Sequence, residues 1–452
     1  MIPLLRCICC MLWLLPSMLT AQTTKPNLVI MMTDDQRADA LSCAGNTVLS
    51  TPNLDRIATE GIRFRNMFVT NALCAPSRAT LLTGMYAHRH GVVDNMNRQL
   101  KPDQRTLAEE LQDAGYEVAF CGKSHMKGAL RDRPWDYYFG YQGQGQYLQP
   151  RIAEGVKGQD EIHQGYMDDI VTAKAIAWLK QPRTKPFCLF LFFKAPHRSW
   201  VRAPRHQNLF ANITVPKPAT FDDAGVGKPR AFLEAKNKIG MFKDVTDYQS
   251  FMKDYYSTIT AVDENVGLLL NALTDLKQLD QTAILFTSDN GFFLGEWQRF
   301  DKRFMHEPSI RVPLLIRYPK LVKAGSLSDR MALNIDIAPT LMELAGAKIP
   351  DYMQGCSLVP LLKEPHAPFR KDWLYAYYEY PDPSHEVRKQ RGVRTERYKL
   401  IHYFDPPEAF ELYDLEKDPE ERFNLYSKPE WAELEMQLKQ RLEALRKEMG
   451  EQ

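Results

Sequence analysis

Four stretches of this 452-residue chain place chemically capable side chains directly after apolar runs. Asp34 and Asp35 follow Asn27–Met32, and Lys123 and His125 follow Glu117–Cys121. His197 follows Phe187–Phe193, and Asp289 and Asn290 follow Ala283–Thr287. A fifth stretch, Asn71-Ala72-Leu73-Cys74-Ala75-Pro76-Ser77-Arg78-Ala79-Thr80-Leu81-Leu82-Thr83-Gly84, reads as the start of a short helix. Pro76 suits a first helical turn, and Gly84 suits a left-handed stop. Cys74 then sits at a helix N-terminus, which favours an anion. Arg78, one turn on, offers a fork suited to an oxyanion. Three carboxylates and one amide oxygen match a hard divalent cation, better Ca²⁺ than Zn²⁺. A cation would also relieve the repulsion between Asp34 and Asp35. Lys123, His125, His197, Lys302 and Arg78 would then surround an anion bound to it.

Each stretch alone has a plainer reading. Cys74 could be a buried thiol beside a helix cap. Asp34-Asp35 could cap a helix or turn, and Asp289-Asn290-Gly291 is turn vocabulary. Coincidence of all of them at one edge of a sheet is harder to explain, because open α/β sheets bind ligands at the carboxyl ends of their strands.

The elements that must position these groups are legible. The four apolar runs have the continuous character of buried parallel strands. Helices are expected from Thr51, from about Thr106 to Asp113, from Tyr166 to Lys180, from Tyr248 to Leu276 and from Asp336 to Ala345. Phe64–Val69 and Val312–Ile316 read as further strands. Phe139–Gly165, rich in Gly and Gln, reads as a long functional loop or lid. Residues 204 to 250 read as a surface insertion, and Asn212-Ile213-Thr214 fits a glycosylation acceptor. Beyond about residue 365, short aromatic strands at Trp373–Tyr380, Gly392–Thr395, Tyr398–Phe404 and Phe410–Asp414 precede a charged helix from Pro429 to Met449. The expected organisation is a signal peptide at 1–21, an α/β catalytic domain at 22–365 and a C-terminal α+β subdomain at 366–452.

Net charge is +2, which gives no support to a nucleic-acid partner or a polybasic membrane surface. Arg6, the apolar run from Cys7 and the small residue Ala21 have the form of a secretory leader. No later stretch is long enough to span a bilayer. The expectation is an exported protein, periplasmic or secreted. Five cysteines follow the leader, an odd number without framework spacing.

Cys74-Ala75-Pro76-Ser77-Arg78, followed by Leu81-Leu82-Thr83-Gly84, resembles the signature of type I sulfatases of the alkaline-phosphatase-like superfamily. The resemblance extends to the Asp-Asp, the Gly-Lys-x-His, the Pro-His, the Ser-Asp-Asn-Gly and Asp301-Lys302-Arg303. It implies a large, mostly parallel sheet flanked by helices, with a smaller C-terminal antiparallel sheet. It implies that Cys74 is oxidised to formylglycine by a formylglycine-generating or anaerobic sulfatase-maturing enzyme, and that its hydrate attacks sulfur. Asp34, Asp35, Asp289, Asn290 and residue 74 would hold Ca²⁺, with Asp289 as base. Arg78 and Lys123 would stabilise the hydrate, and His125 would help to expel sulfate. His197 with Lys302 would bind sulfate and protonate the leaving oxygen. Tyr377–Pro381, Gly392–Thr395 and Arg397–His402 resemble bacterial glycan sulfatases acting on 6-O-sulfated N-acetylglucosamine in glycosaminoglycans. Trp200, His306, Glu307, His385 and Arg388 are the candidate sugar contacts. The alternatives are a sulfatase for another sugar position, a phosphonate or phosphodiester hydrolase on the same scaffold, and a non-catalytic glycan-binding relative.

Overall fold

The computed structural model describes residues 25–127 and 130–451, so the expected leader lies outside the described residues. The apolar runs form the middle of one mixed sheet. Its strands are β1 (Asn27–Thr33), β2 (Ile62–Phe68), β3 (Glu117–Lys123), β4 (Tyr137–Tyr141), β5 (Arg151–Glu154), β6 (Asp160–Ile162), β7 (Phe187–Phe192) and β8 (Thr282–Ser288). A two-stranded ribbon, β9 (Phe293–Leu294) and β10 (Phe300–Asp301), precedes the last two strands of the large sheet, β11 (Leu314–Arg317) and β12 (Ser326–Leu333). The order across its ten strands is β12-β2-β11-β8-β1-β7-β3-β4-β5-β6. The run from β8 to β4 is parallel, whereas β11 runs antiparallel to both its neighbours and β4-β5-β6 is an antiparallel edge.

Helices cover both faces, which is why the central strands carry no polar alternation. Leu28, Ile30 and Met32 of β1 point into one core with Ala75, Ala79 and Leu82 of the Cys74–Thr83 helix. Val29 and Met31 point into the other, with Val171 of the Met167–Leu179 helix and Val262, Val266 and Leu269 of the Tyr248–Asp275 helix. Each of the Leu, Ile, Val and Met side chains, fully buried, contributes about 1.5–3 kcal/mol.

The last strands, β13 (Asp372–Tyr377), β14 (Gln390–Thr395), β15 (Tyr398–Tyr403) and β16 (Ala409–Asp414), form an antiparallel sheet in sequence order. Leu438, Leu442 and Leu445 of the Ala432–Met449 helix are buried at i, i+4 and i+7 spacing. They share one hydrophobic cluster with Trp373, Leu374 and the first face of the large sheet.

Two expectations are corrected. Phe139–Gly165 is not one loop, because it holds the end of β4 and all of β5 and β6. Strands of 4 and 3 residues are too short to show an alternating pattern. Residues 204–250 are more than a surface insertion. They carry a short helix, Arg230–Leu233, with Phe232 and Asn237 fully buried. Lys228 reaches into the C-terminal sheet, donating to the Tyr413 hydroxyl at 2.8 Å and the Glu421 carbonyl at 2.9 Å. Among the described residues no helix is long and apolar enough to cross a membrane.

Candidate active site

The strands that precede the chemically capable residues are adjacent, in the order β8-β1-β7-β3, and end level with one another. Thr33 stands opposite Ser288, and both Met32 and Gly122 stand opposite Phe192. Asp34-Asp35, Asp289-Asn290, Lys123-His125 and His197 therefore emerge at one edge. Gly122 is required there: its φ is +113°, and a Cβ would lie 1.9 Å from the Phe192 carbonyl oxygen. The Cys74–Thr83 helix delivers its N-terminus to the same edge. Leu73 is extended before it, and Gly84 ends it at φ 65°, as expected from the sequence.

Asp34, Asp35 and Asp289 are buried and place one carboxylate oxygen each within 4.8 Å of the others. Arg78 lies between two of them. Its Nε donates to Asp289 Oδ2 at 2.9 Å and its Nη2 to Asp34 Oδ2 at 3.1 Å. Lys123 forms a second ion pair with Asp34, and Lys302 forms one with Asp35. Lys302 Nζ also lies 3.1 Å from Cys74 Sγ, which in turn lies 3.5 Å from Asp34 Oδ1. His197 directs Nε2 to within 3.8 Å of Asp35 Oδ2, while Nδ1 faces the Arg198 carbonyl. A carbonyl can only accept, so Nδ1 carries the proton in the neutral ring and Nε2 faces the site with a lone pair.

Electrostatics follow from this packing. Burial raises the Asp34 carboxyl, but Lys123, His197, Arg78 and Lys302 outweigh it and hold the group well below its usual value. Burial, with Asp34 and Asp289 adding to it, pushes Asp35 up to about 7 against the pull of Lys302. Burial likewise raises Asp289. Burial and the nearby Asp34 carboxylate push the Cys74 thiol well above its ordinary range. His125 and His197 are driven down by burial and by Lys123.

The residues fit a hard divalent cation. The cluster is all oxygen, and two of its buried oxygens, Asp35 Oδ2 and Asn290 Oδ1, have no hydrogen-bond partner in the structure. Asn290 Nδ2 donates to Asp35 Oδ1 at 2.6 Å, so the amide is already held against the cluster.

A cleft opens above these groups. His197, Lys302, Asp301, Arg303 and His385 line it, together with Lys194 and Gln144. Asp301 and Arg303 both have positive φ, 80° and 86°, which turns the backbone on either side of Lys302. Arg303 pairs with Asp301, and His385 lies 3.7 Å from Asp301 through Nε2 and 2.6 Å from Asp382 through Nδ1.

The structure brings together Asp34, Asp35, Cys74, Arg78, Lys123, His125, His197, Asp289, Asn290 and Lys302, and it sets His385 on the cleft wall. It does not bring the other four sugar candidates there. Trp200 is buried, bonded through Nε1 to the Pro196 carbonyl and packed on Phe251. His306 is fully buried, its Nε2 3.2 Å from both Glu411 and Lys228. Glu307 is 2.9 Å from Lys399 and lines a separate cavity with Arg311 and Arg65. Arg388 donates to the carbonyls of Pro406 and Pro407 at 3.3 and 3.4 Å.

Residues 26–347 match the family model described as Sulfatase. This chain belongs to the sulfatase family. A second model, N-sulphoglucosamine sulphohydrolase, C-terminal, matches residues 295–448. The chain is 39% identical to an N-acetylglucosamine-6-O-sulfatase of Bacteroides thetaiotaomicron, over 94% of this chain and 87% of the relative. It superimposes with a TM-score of 0.89 and 39% identity on BT4656, solved in complex with its substrate D-glucosamine-2-N,6-O-disulfate, covering 94% and 98% of the two chains. A phosphonate monoester hydrolase of Agrobacterium radiobacter, 24% identical with a TM-score of 0.77 over 94% and 96%, shares the fold. The protein is a sulfuric-ester hydrolase with a large mixed sheet and a small antiparallel one.

Several residues of this sulfatase site escaped the sequence reading. Gln144 accepts from Lys123 Nζ through Oε1 and sets Nε2 3.3 Å from His125. Asp168 accepts the N–H groups of Lys194 at 2.8 Å and Ala195 at 3.2 Å, fixing the turn that delivers His197. Tyr255 donates to the Asp35 carbonyl at 2.8 Å and so holds Asp35 at φ 74°. Asn95 accepts the Ala75 N–H at 3.1 Å. Of these, Gln144 alone carried a signal, through the Gln- and Gly-rich stretch around it.

Proposed function

We propose that this sulfatase removes the 6-O-sulfate of N-acetylglucosamine or glucosamine units of glycosaminoglycans. The observation that carries the reading is the grouping of Asp34, Asp35 and Asp289 beside Cys74 and Lys302, with Lys302 joining this buried cluster to a cleft walled by Asp301, Arg303 and His385. The sugar follows from the relative acting on N-acetylglucosamine 6-O-sulfate and from the structural neighbour bound to a glucosamine 6-O-sulfate.

Asp34, Asp35, Asp289 and Asn290, with residue 74, would hold Ca²⁺. The buried Cys74 thiol is a poor nucleophile at neutral pH because burial and the Asp34 carboxylate oppose its ionisation. Its conversion to formylglycine by a maturing enzyme agrees with that environment. Bound Ca²⁺ would polarise the sulfate oxygens, and formylglycine would supply the attacking hydroxyl. Arg78 and Lys123 orient residue 74, and Asp289 takes the proton of the attacking group. Lys302 and Lys123 offset sulfate charge. His197 Nε2, which faces the site with a lone pair, takes up a proton when the sulfate anion is bound and then passes it to the departing sugar oxygen. His125, kept neutral by burial beside Lys123, accepts a proton as sulfate leaves. Asp301, Arg303 and His385 face the sugar. The leader-like pattern at residues 1–21 supports export.

The test is a panel of defined sulfated mono- and disaccharides offered to matured, Ca²⁺-loaded protein. Sulfate release is expected from 6-O-sulfated glucosamine units and not from the 3-O isomer or from 2-O-sulfated uronates. Preference for another position, or for an aryl phosphonate over an aryl sulfate, would overturn the reading. Cys74→Ala is expected to fold normally with no turnover.

A further inference from the structure

We infer that Glu379, which no part of the mechanism above uses, is a positioning residue linking the sugar cleft to the nucleophile. The inference rests on the proposed function for the role of the cleft but not for the role of residue 74. Glu379 follows β13 in the C-terminal part of the chain and is buried. Its two carboxylate oxygens face different halves of the site. Oε1 accepts from Arg303 Nη2 at 3.3 Å, and Arg303 lines the cleft. Oε2 accepts the backbone N–H of Asn95 at 2.7 Å. The Asn95 side chain then accepts the Ala75 N–H at 3.1 Å.

Ala75 is the second residue of the Cys74–Thr83 helix, where a backbone N–H has no partner within the helix. The usual remedy is an N-cap side chain, but the residue preceding this helix is Leu73, which has none to offer. Asn95, more than one helical turn beyond Gly84, replaces it from outside. The orientation of the Cys74 end of the helix is therefore set by Asn95, and Asn95 is set by Glu379. A parallel tie runs through Tyr375 of β13, whose hydroxyl donates to the Arg303 carbonyl at 2.7 Å and accepts the Ala72 N–H at 3.3 Å. Both ties join the Lys302-Arg303 segment to the segment carrying Cys74, one from β13 and one from the residues just after it.

A charged acceptor holding two donors from separate segments is a directional joint, because charge-assisted hydrogen bonds are the shorter and stronger ones. Loss of the joint leaves the sulfate-binding cations in place and lets residue 74 drift. Displacement of a reacting group by ~1 Å costs up to about 10²-fold in rate. The effect therefore falls on kcat for every sulfate ester, and on KM only for substrates that reach Arg303.

The experiment compares Glu379→Gln, Asn95→Ala and the double variant, each normalised to its formylglycine content by peptide mass. Two substrates are used: an aryl sulfate, which fills the sulfate pocket alone, and a 6-O-sulfated glucosamine. Glu379→Gln is expected to lower kcat about tenfold on both, and to raise KM on the sugar only. Asn95→Ala, which also changes the cleft lining, is expected to lower kcat on both with KM unchanged on the aryl sulfate. The double variant is expected to lose no more kcat than the worse single one, as residues acting through one path do. Additive kcat losses, or kcat unchanged in Asn95→Ala, would overturn the inference. The aryl sulfate series stands even if the sugar assignment fails.

Discussion

Lys302 Nζ lies 3.1 Å from Cys74 Sγ while it pairs with the Asp35 carboxylate. One ammonium thus touches the proposed nucleophile position and the proposed cation site together. Burial lowers its affinity for a proton, but Asp35, residue 74 and Asp34 outweigh this and keep it charged. Lys302→Met keeps the length of the side chain and removes the charge. The expected result is a fall in kcat of about 10²–10³-fold, the range seen when one preorganised charge-stabilising donor is removed. Stopped assays on an aryl sulfate, at equal formylglycine content, measure it. Retention of more than a tenth of wild-type kcat would remove Lys302 from the mechanism.

Three carboxylates around one point would make the proposed cation a stability determinant as well as a catalytic one. Chelation is expected to abolish turnover and lower Tm, and added Ca²⁺ to restore both. At a free concentration of 100 times Kd the stabilisation is about 2.7 kcal/mol. Asp289→Asn is expected to weaken the Ca²⁺-dependent rise in Tm, a readout that does not depend on activity. An equal rise in the variant would exclude Asp289 as a ligand.

The strand ends were legible in the sequence because buried parallel strands are written as continuous apolar runs, and the next residue is compelled to the sheet edge. Asp34, Lys123, His197 and Asp289 are all found this way. The resemblance to the sulfatase signature pointed to Cys74 and Arg78, which the structure places at the same edge. Proximity in sequence failed for the sugar contacts. Trp200 stands three residues after His197 but folds back onto the Pro196 carbonyl, and His306 stands three after Arg303 but points into an aromatic core with Phe232 and Phe304. A positive φ at Arg303 redirects the chain there, and no residue type announces it. Asn95 and Asp168 act through hydrogen bonds to backbone N–H groups of distant segments, so nothing local marks them.

Asp168 gives a pH dependence with a defined sign. Burial pushes its carboxyl up to about 6, against the Lys194 and Ala195 N–H groups that favour the anion. An unfolded Asp titrates near about 3.9. Between these values the folded chain binds a proton that the unfolded chain does not, so the stability contributed by Asp168 is complete below about pH 4 and is lost as pH rises through about 6. Asp168→Asn removes this dependence. Subtracting the variant's Tm profile from that of the wild type, between about pH 4 and pH 7, is expected to give a difference that falls with rising pH. A flat difference would show that Asp168 is ionised throughout the range.

His385 separates the sugar from the sulfate. It lies on the cleft wall, 3.7 Å from Asp301 and bonded to Asp382, and it touches none of the residues proposed to hold the cation. A side chain that binds ground state and transition state equally changes KM and leaves kcat alone. His385→Ala is expected to raise KM for 6-O-sulfated glucosamine about tenfold, the loss of one good polar contact at about 1.4 kcal/mol. Aryl sulfate kinetics are expected to stay within twofold of wild type, roughly the scatter for a site outside the reacting groups. Initial-rate curves on the two substrates decide it. An equal loss on both would place His385 in the sulfate chemistry, and no loss on either would move the sugar to the opposite wall of the cleft, beside Gln144 and Tyr147.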